Sequence, residues 1–222
     1  MAALRDGIAL LSEDGELRLI SDVEADRPTH RFNDGKCDAA GRFWAGTMRF
    51  DDVRGSATLY RVDPDHSVTP MVTGVGLSNG LGWSVDGTVM YYIDTLERSI
   101  DAFDFAPDTG GLSNRRRLVS LAPDDGYPDG MTVDRDGFLW VALYQGGAIR
   151  RYSPAGELAR TIDLPVSQPT SCAFGGPDLM DLYITTATQD LSKAQLEAEP
   201  LAGGVLRCRP GAQGRPENAF QG

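Results

Sequence analysis

The sequence predicts an all-β fold of the propeller type. Three observations carry this reading: a turn-rich composition, a unit of four strand-like runs that recurs, and an aromatic strand at the same place in each unit. The 222 residues hold 24 Asp but 8 Glu and 19 Arg but 2 Lys, with 26 Gly and 13 Pro. Asp and Gly serve turns, whereas Glu and Lys serve helices, so the balance is that of a β protein rich in hairpins.

Taken in order, the elements begin with a two-strand hairpin over Gly7–Leu11 and residues 17–20. The first full unit then starts at Cys37-Asp38-Ala39-Ala40-Gly41-Arg42-Phe43-Trp44, and the second at Trp83-Ser84-Val85-Asp86-Gly87 leading to Tyr92. Val133-Asp134-Arg135-Asp136-Gly137-Phe138-Leu139-Trp140 opens the third, and Phe174-Gly175-Gly176-Pro177 leading to Tyr183 opens the fourth. The landmarks Trp44, Tyr92, Trp140 and Tyr183 step by 48, 48 and 43 residues. Each of the first three turns is short, Gly-bearing and flanked by strand-like runs, which is a hairpin signal. Two further strands follow each landmark in the first three units: 58–62 with 68–72, 99–105 with 117–121, and 148–152 with 158–162. Four strands per unit is propeller arithmetic; a sandwich would give turns every 8–12 residues with no superperiod. Residues 191–199 carry the one helical stretch, with Ser192 as its N-cap. The count is four whole blades preceded by half a blade, in a single propeller domain over residues 1–222.

Charge and cysteines narrow the function. The net charge of −11 argues against nucleic acid, whose phosphates demand basic patches. The one basic run, Arg115-Arg116-Arg117, reads as a solvated strand edge. No apolar run approaches membrane-spanning length and no signal peptide precedes the first strand. Cys37, Cys172 and Cys208 lie far apart without a CxxC pair, which reads as reduced thiols in a cytoplasmic chain.

A second regularity rides on the first. Ahead of each inner strand stands a small polar residue: Asn33-Asp34-Gly35, Asn79-Gly80, Asp129-Gly130 and Thr170-Ser171. They precede their aromatic landmarks by 11, 13, 11 and 12 residues. In a propeller the first strand of each blade lines the central channel, so equivalent positions face one spot. One Asx-Gly pair is ordinary turn chemistry; the shared register makes it a site signal. Oxygen-bearing side chains converging on an axis suit one divalent cation such as Ca²⁺, Mg²⁺, Zn²⁺ or Mn²⁺. With no His or Cys in the set, a closed structural zinc site is not indicated.

These residues also resemble a known family. Arg31-Phe32-Asn33-Asp34-Gly35-Lys36-Cys37-Asp38, Gly41 through Met48, Ser78-Asn79-Gly80-Leu81-Gly82-Trp83, Tyr92-Ile93-Asp94-Thr95, Pro128-Asp129-Gly130-Met131 and Pro169 through Gly176 follow the pattern of the senescence-marker-protein-30/gluconolactonase/regucalcin family in order. The resemblance covers nearly the whole chain. It implies a six-bladed propeller with an axial divalent metal that hydrolyses lactones, typically sugar lactones. Position by position it implies Asn79 as a metal ligand, Asp129 as metal ligand and general base, and Arg31 and Asn33 as the pair that holds substrate. Asp51 falls where the family often has a substrate-contacting acid, in a loosely matching segment. One departure stands out: the family's metal-ligating Glu, in a Gly-Glu-Gly-Pro-like segment of the first blade, has no counterpart, since Glu13, Glu16 and Glu24 lie in turn-like or loop-like surroundings. Relative to the family pattern the expected propeller is truncated at its N-terminus to about four and a half blades, with open edges that invite self-association.

Other chemistry fits less well. Gly76-Leu77-Ser78-Asn79-Gly80 matches a nucleophile elbow, but a strand follows it, and the only histidines, His30 and His66, precede the Ser. Trp44, Trp83, Trp140 and Tyr91 read as blade packing. Tyr144-Gln145-Gly146-Gly147 follows an aromatic strand and is a candidate for the channel mouth. Arg31 has a second reading, as an ion-pair partner of Asp34 or Asp38. The rival to a lactonase is a propeller that binds calcium or protein without turnover.

Overall fold

The computed structural model describes Met1–Gly222 as five antiparallel sheets arranged as a β-propeller. The first sheet holds β1 (Ala2–Leu4), β2 (Gly7–Leu11) and β3 (Leu17–Ser21). The second holds β4 (His30–Cys37), β5 (Phe43–Arg49), β6 (Ala57–Val62) and β7 (Val68–Val75). β8 (Ser78–Trp83), β9 (Val89–Asp94), β10 (Ser99–Ala106) and β11 (Gly111–Ser120) make the third. The fourth is β12 (Tyr127–Val133), β13 (Leu139–Tyr144), β14 (Ala148–Tyr152) and β15 (Leu158–Asp163). The fifth has three strands, β16 (Pro169–Gly175), β17 (Asp181–Thr186) and β18 (Val205–Cys208), with α1 (Lys193–Ala198) inserted before the last. Ser192 caps α1 by accepting from the Gln195 amide, as the sequence predicts. No helix is long and apolar enough to cross a membrane.

Three expectations need correction. The leading hairpin gains a strand, because Ala2-Ala3-Leu4, too short to show a period, pairs in register with Ala9, Ile8 and Gly7. The last unit is not a whole blade. After β18, Pro210, Gly211, Gly214 and Pro216 prevent another ladder strand, and the chain runs back across the lower ends of the blades instead. Along that course the Gly214 amide donates to Leu179, Arg135 donates to Gln213, and Gln221 donates to Gly41. Finally, β11 begins at Gly111 rather than residue 117, since Gly110 (φ 67°) closes a tight turn from β10. Arg115, Arg116 and Arg117 on that outer strand are neutralised locally by Asp101 and Asp104.

Packing repeats with the units. Four buried apolar clusters each fill the space between two neighbouring sheets: Phe32, Tyr60 and Ile8 between the first and second, Trp44, Leu59 and Tyr92 between the second and third, Ile93, Leu139 and Val133 next, and Trp140, Phe174 and Ile184 last. Each large side chain so buried contributes about 1.5–3 kcal/mol, and each sheet relies on its neighbours for a core. The Asp-bearing hairpins have a defined function in this packing. Asp38 accepts from the amides of Ala40 and Arg42 and from the Trp44 indole at 2.9 Å. Asp134 repeats the arrangement with Asp136, Phe138 and Trp140, again at 2.9 Å to the indole. The turn residue thus satisfies the one polar atom that the buried Trp brings into the core.

The four inner strands β4, β8, β12 and β16 lie side by side around the axis. The polar residues do not precede these strands, as the sequence suggested, but sit inside them at bulges. Register shifts fall between Phe32 and Gly35, Ser78 and Leu81, Pro128 and Met131, and Pro169 and Ser171. An extra residue at a bulge re-aims a side chain without ending the strand; the device recurs in all four inner strands, and in β4, β8 and β12 it brings polar groups together. Glycine after the polar residue lets adjacent strands close up. A Cβ on Gly80 would stand 2.7 Å from the Asp129 carbonyl oxygen and 2.7 Å from the Met131 amide, both backbone atoms. Gly80→Ala is therefore expected to cost about 2–4 kcal/mol. It should appear as a lower urea midpoint at unchanged m, and an unchanged midpoint would refute this account of the strand approach.

Candidate active site

Bulges in β4, β8 and β12 hold Asn33, Asp34, Asn79 and Asp129, and Arg31 stands in β4 just ahead of the first bulge; Asp34, Asn79 and Arg31 all act on Asp129. Asn33 donates from Nδ2 to the Ser78 carbonyl at 2.9 Å, tying β4 to β8. Asn79 is buried and donates from Nδ2 to Thr95 Oγ1 at 3.1 Å, and Thr95 in turn donates to the Pro128 carbonyl at 2.7 Å. This relay fixes the plane of the Asn79 amide and links it to the residue beside Asp129. Thr95 had no signal of its own in the sequence, because its role exists only once two blades meet.

The charges are unusual. Burial, with help from the neighbouring Asp34, pushes the Asp129 carboxyl up to about 7 against the opposing pull of the Asn79 amide, the Gly130 amide and Arg31. Asp34 is also raised, chiefly by burial, against the opposing pull of Lys36 and the Gly35 amide. Sequence reasoning singled out Asn33 and passed over Asp34 in the same Asn-Asp-Gly bulge. Arg31 is half-buried and forms no ion pair; its Nη1 donates to the Phe32 carbonyl at 2.8 Å. The alternative pairing with Asp38 is ruled out because Asp38 holds Arg42 at 2.6 Å. Burial depresses the Arg31 guanidinium and the charge of Asp129 partly restores it.

Two other sequence candidates lie elsewhere. Asp51 is exposed in the loop after β5 and pairs with Arg49 at 2.6 Å. Thr170 shares a 2.8 Å hydrogen bond with Thr185 across β16 and β17. Ser78 is fully buried and accepts from the Tyr92 hydroxyl at 2.7 Å, so the elbow-like motif is structural. Among the glutamates weighed for the metal, Glu24 is buried but committed to Tyr60 and Arg27. A cavity of about 360 Å³ does not hold these groups. It opens at the other ends of the inner strands, lined by Lys36, Trp83, Arg215 and Glu217.

The Asp129 cluster offers oxygen donors only. Asp129 and Asn79 supply two, Asp34 adds a nearby carboxylate, and no group of three His, Cys, Asp or Glu is gathered at one point. Burial raises both acids, and Asp34 adds to the rise at Asp129; an all-oxygen set of this kind could hold a hard divalent cation.

A family profile described as "SMP-30/Gluconolactonase/LRE-like region" matches residues 1–188. Regucalcin of Oryctolagus cuniculus is 42% identical over 221 residues, spanning 96% of this chain and 74% of the relative. The solved structure of regucalcin from Agrobacterium tumefaciens, described as a calcium-binding protein, superposes with a TM-score of 0.94 at 29% identity, over 98% of this chain and 74% of that one. A gluconolactonase from Xanthomonas campestris superposes with a TM-score of 0.69 at 28% identity, over 82% of this chain and 62% of that one.

Proposed function

We propose that this chain, which belongs to the SMP-30/gluconolactonase/LRE-like family, hydrolyses a sugar (aldono) lactone to its hydroxy acid at the axial cluster. The observation that carries the proposal is the placing of a guanidinium without an ion pair, Arg31, close to a carboxylate, Asp129, that accepts from the Asn79 amide. A scaffold needs neither at its axis, whereas ester hydrolysis needs a base beside the attacking water and a cation where negative charge develops.

Asn79 and Asp129 would hold one divalent cation, which when bound polarises the lactone carbonyl and acidifies water. The chain's own residues have these tasks. Asn33 and Arg31 orient the substrate. Asp129 accepts the proton of the attacking water as the new C–O bond forms. Arg31 donates to the developing oxyanion with its planar fork. The ring C–O bond then breaks, and Asp129 returns the proton to the departing alkoxide, leaving the carboxylic acid and a free hydroxyl. Asn79 and Thr95 hold the geometry throughout.

The test is acid release from a panel of aldonolactones in a pH-stat, with EDTA and after adding back Ca²⁺, Zn²⁺, Mg²⁺ or Mn²⁺. Hydrolysis should fall to background with EDTA and return with at least one ion. Rapid hydrolysis that ignores the chelator would overturn the metal assignment. Saturable Ca²⁺ binding with no turnover on any lactone would favour the binding propeller, the reading that the calcium-binding description of the Agrobacterium relative favours.

A further inference from the structure

We propose that Tyr144 is a substrate-binding residue at the mouth of the axial site, its phenol O–H donating to a hydroxyl oxygen carried on the lactone ring. The inference rests on the hydrolase reading above and specifies what the substrate must carry.

The placement comes from the backbone. Tyr144 ends β13 directly opposite Tyr127 in the β12 register, two residues ahead of Asp129. The turn that follows is rigid. Gln145 and Gly147 both take left-handed conformations (φ 59° and 60°), and the Gly146 amide donates to Leu143 at 2.9 Å. A Cβ on Gly146 would lie 2.3 Å from the Asp125 carbonyl oxygen, so the turn is pressed against residues 125 and 126. That second layer is itself pinned. Arg150 binds Asp125 at 2.5 Å, and Arg98 donates to the Gly126 carbonyl while its guanidinium covers the Tyr127 ring at 3.8 Å. The Tyr144 ring is thus carried on a fixed support at the end of a strand whose preceding residues are buried.

The phenol at the tip is half-buried and makes no hydrogen bond within the protein, unlike Tyr60 and Tyr92, whose hydroxyls are bonded to Glu24 and Ser78. The charges that act on it belong to Asp129 on β12, Asp52 in the loop after β5, and Asp190 ahead of α1. These acids belong to three different sheets, so the phenol lies within electrostatic reach of all three. Burial first and those acids next keep its proton on, so toward a ligand the group is a donor. A tyrosine also presents an apolar face, which suits the C–H side of a saturated ring.

The decisive comparison is Tyr144→Phe on two lactones of one ring size, glucono-δ-lactone and δ-valerolactone, the second lacking ring hydroxyls. Loss of one neutral hydrogen bond that substrate and transition state share should raise KM for gluconolactone about three- to tenfold at nearly unchanged kcat. The same change should leave δ-valerolactone kinetics as they are, since the ring is retained. The variant removes an unbonded hydroxyl, so its melting curve should overlay that of the wild type. Equal kinetics for variant and wild type on both lactones, or equal damage on both, would overturn the assignment of Tyr144 while leaving the hydrolase intact. Wild-type protein that hydrolyses neither lactone above the spontaneous background would remove both readings together.

Discussion

Asp129→Asn is expected to inactivate the protein and, at alkaline pH without divalent cation, to stabilise it. Removing a general base costs ~10²–10⁴-fold in rate. The stability effect has the opposite sign and follows from linkage. The Asp129 carboxyl is raised from 3.8 to about 7, first by burial and then by Asp34. A group whose folded pKa lies above its unfolded value contributes stability that is complete below pH ~4 and lost as pH rises through 7. The span of about 3 units corresponds to up to about 4 kcal/mol at 1.36 kcal/mol per unit. Asparagine has no proton to lose, so the variant keeps that stability at pH 8. Urea midpoints in EDTA should coincide near pH 4 and separate at pH 8 with the variant higher. Saturating divalent cation should narrow the gap by favouring the wild-type carboxylate. A variant as fast as wild type, or one less stable at pH 8, would contradict this account.

How much of this site was legible in the chain depends on which interactions are local. The blades were readable because each hairpin carries its own signal: Asp38 and Asp134 pin a turn and also cap the Trp44 and Trp140 indoles within a few residues. Asn79 and Asp129 were readable as a pair because a bulge repeated in register, although sequence alone could not separate a bulge within a strand from a turn before it. Asp34 was hidden by its neighbour, since Asn33-Asp34-Gly35 offers two acceptors and only the strand geometry decides which faces Asp129. Thr95 and Tyr144 depend on contacts between blades, and no local pattern reports those. Nor did any local pattern show that the residues after β18 cross the blade ends, because that path is set by contacts with Leu179, Arg135 and Gly41.

Arg31→Lys should damage turnover almost as severely as Arg31→Ala. A guanidinium held half-buried with one backbone acceptor and no carboxylate partner is poorly compensated in the resting protein, and such a group is positioned for charge that develops later. If it meets the oxyanion, its removal costs about 10²–10³-fold in kcat/KM, the range for losing one such donor. Lysine restores the charge but not the two parallel donors, and its shorter, strongly hydrated head does not occupy the same plane. The lysine variant is therefore expected within about threefold of the alanine variant rather than near wild type. A second readout separates electrostatics from packing. Arg31 is one of the groups that lower the Asp129 pKa, so Arg31→Ala should move the acid limb of the kcat/KM profile to higher pH, while Arg31→Lys leaves it near the wild-type position. Neither change breaks an ion pair, so thermal midpoints should stay close to wild type. A lysine variant that keeps more than half of the activity would show that charge alone suffices at position 31. An alanine variant with an unmoved acid limb would separate Arg31 from the proton-transfer step.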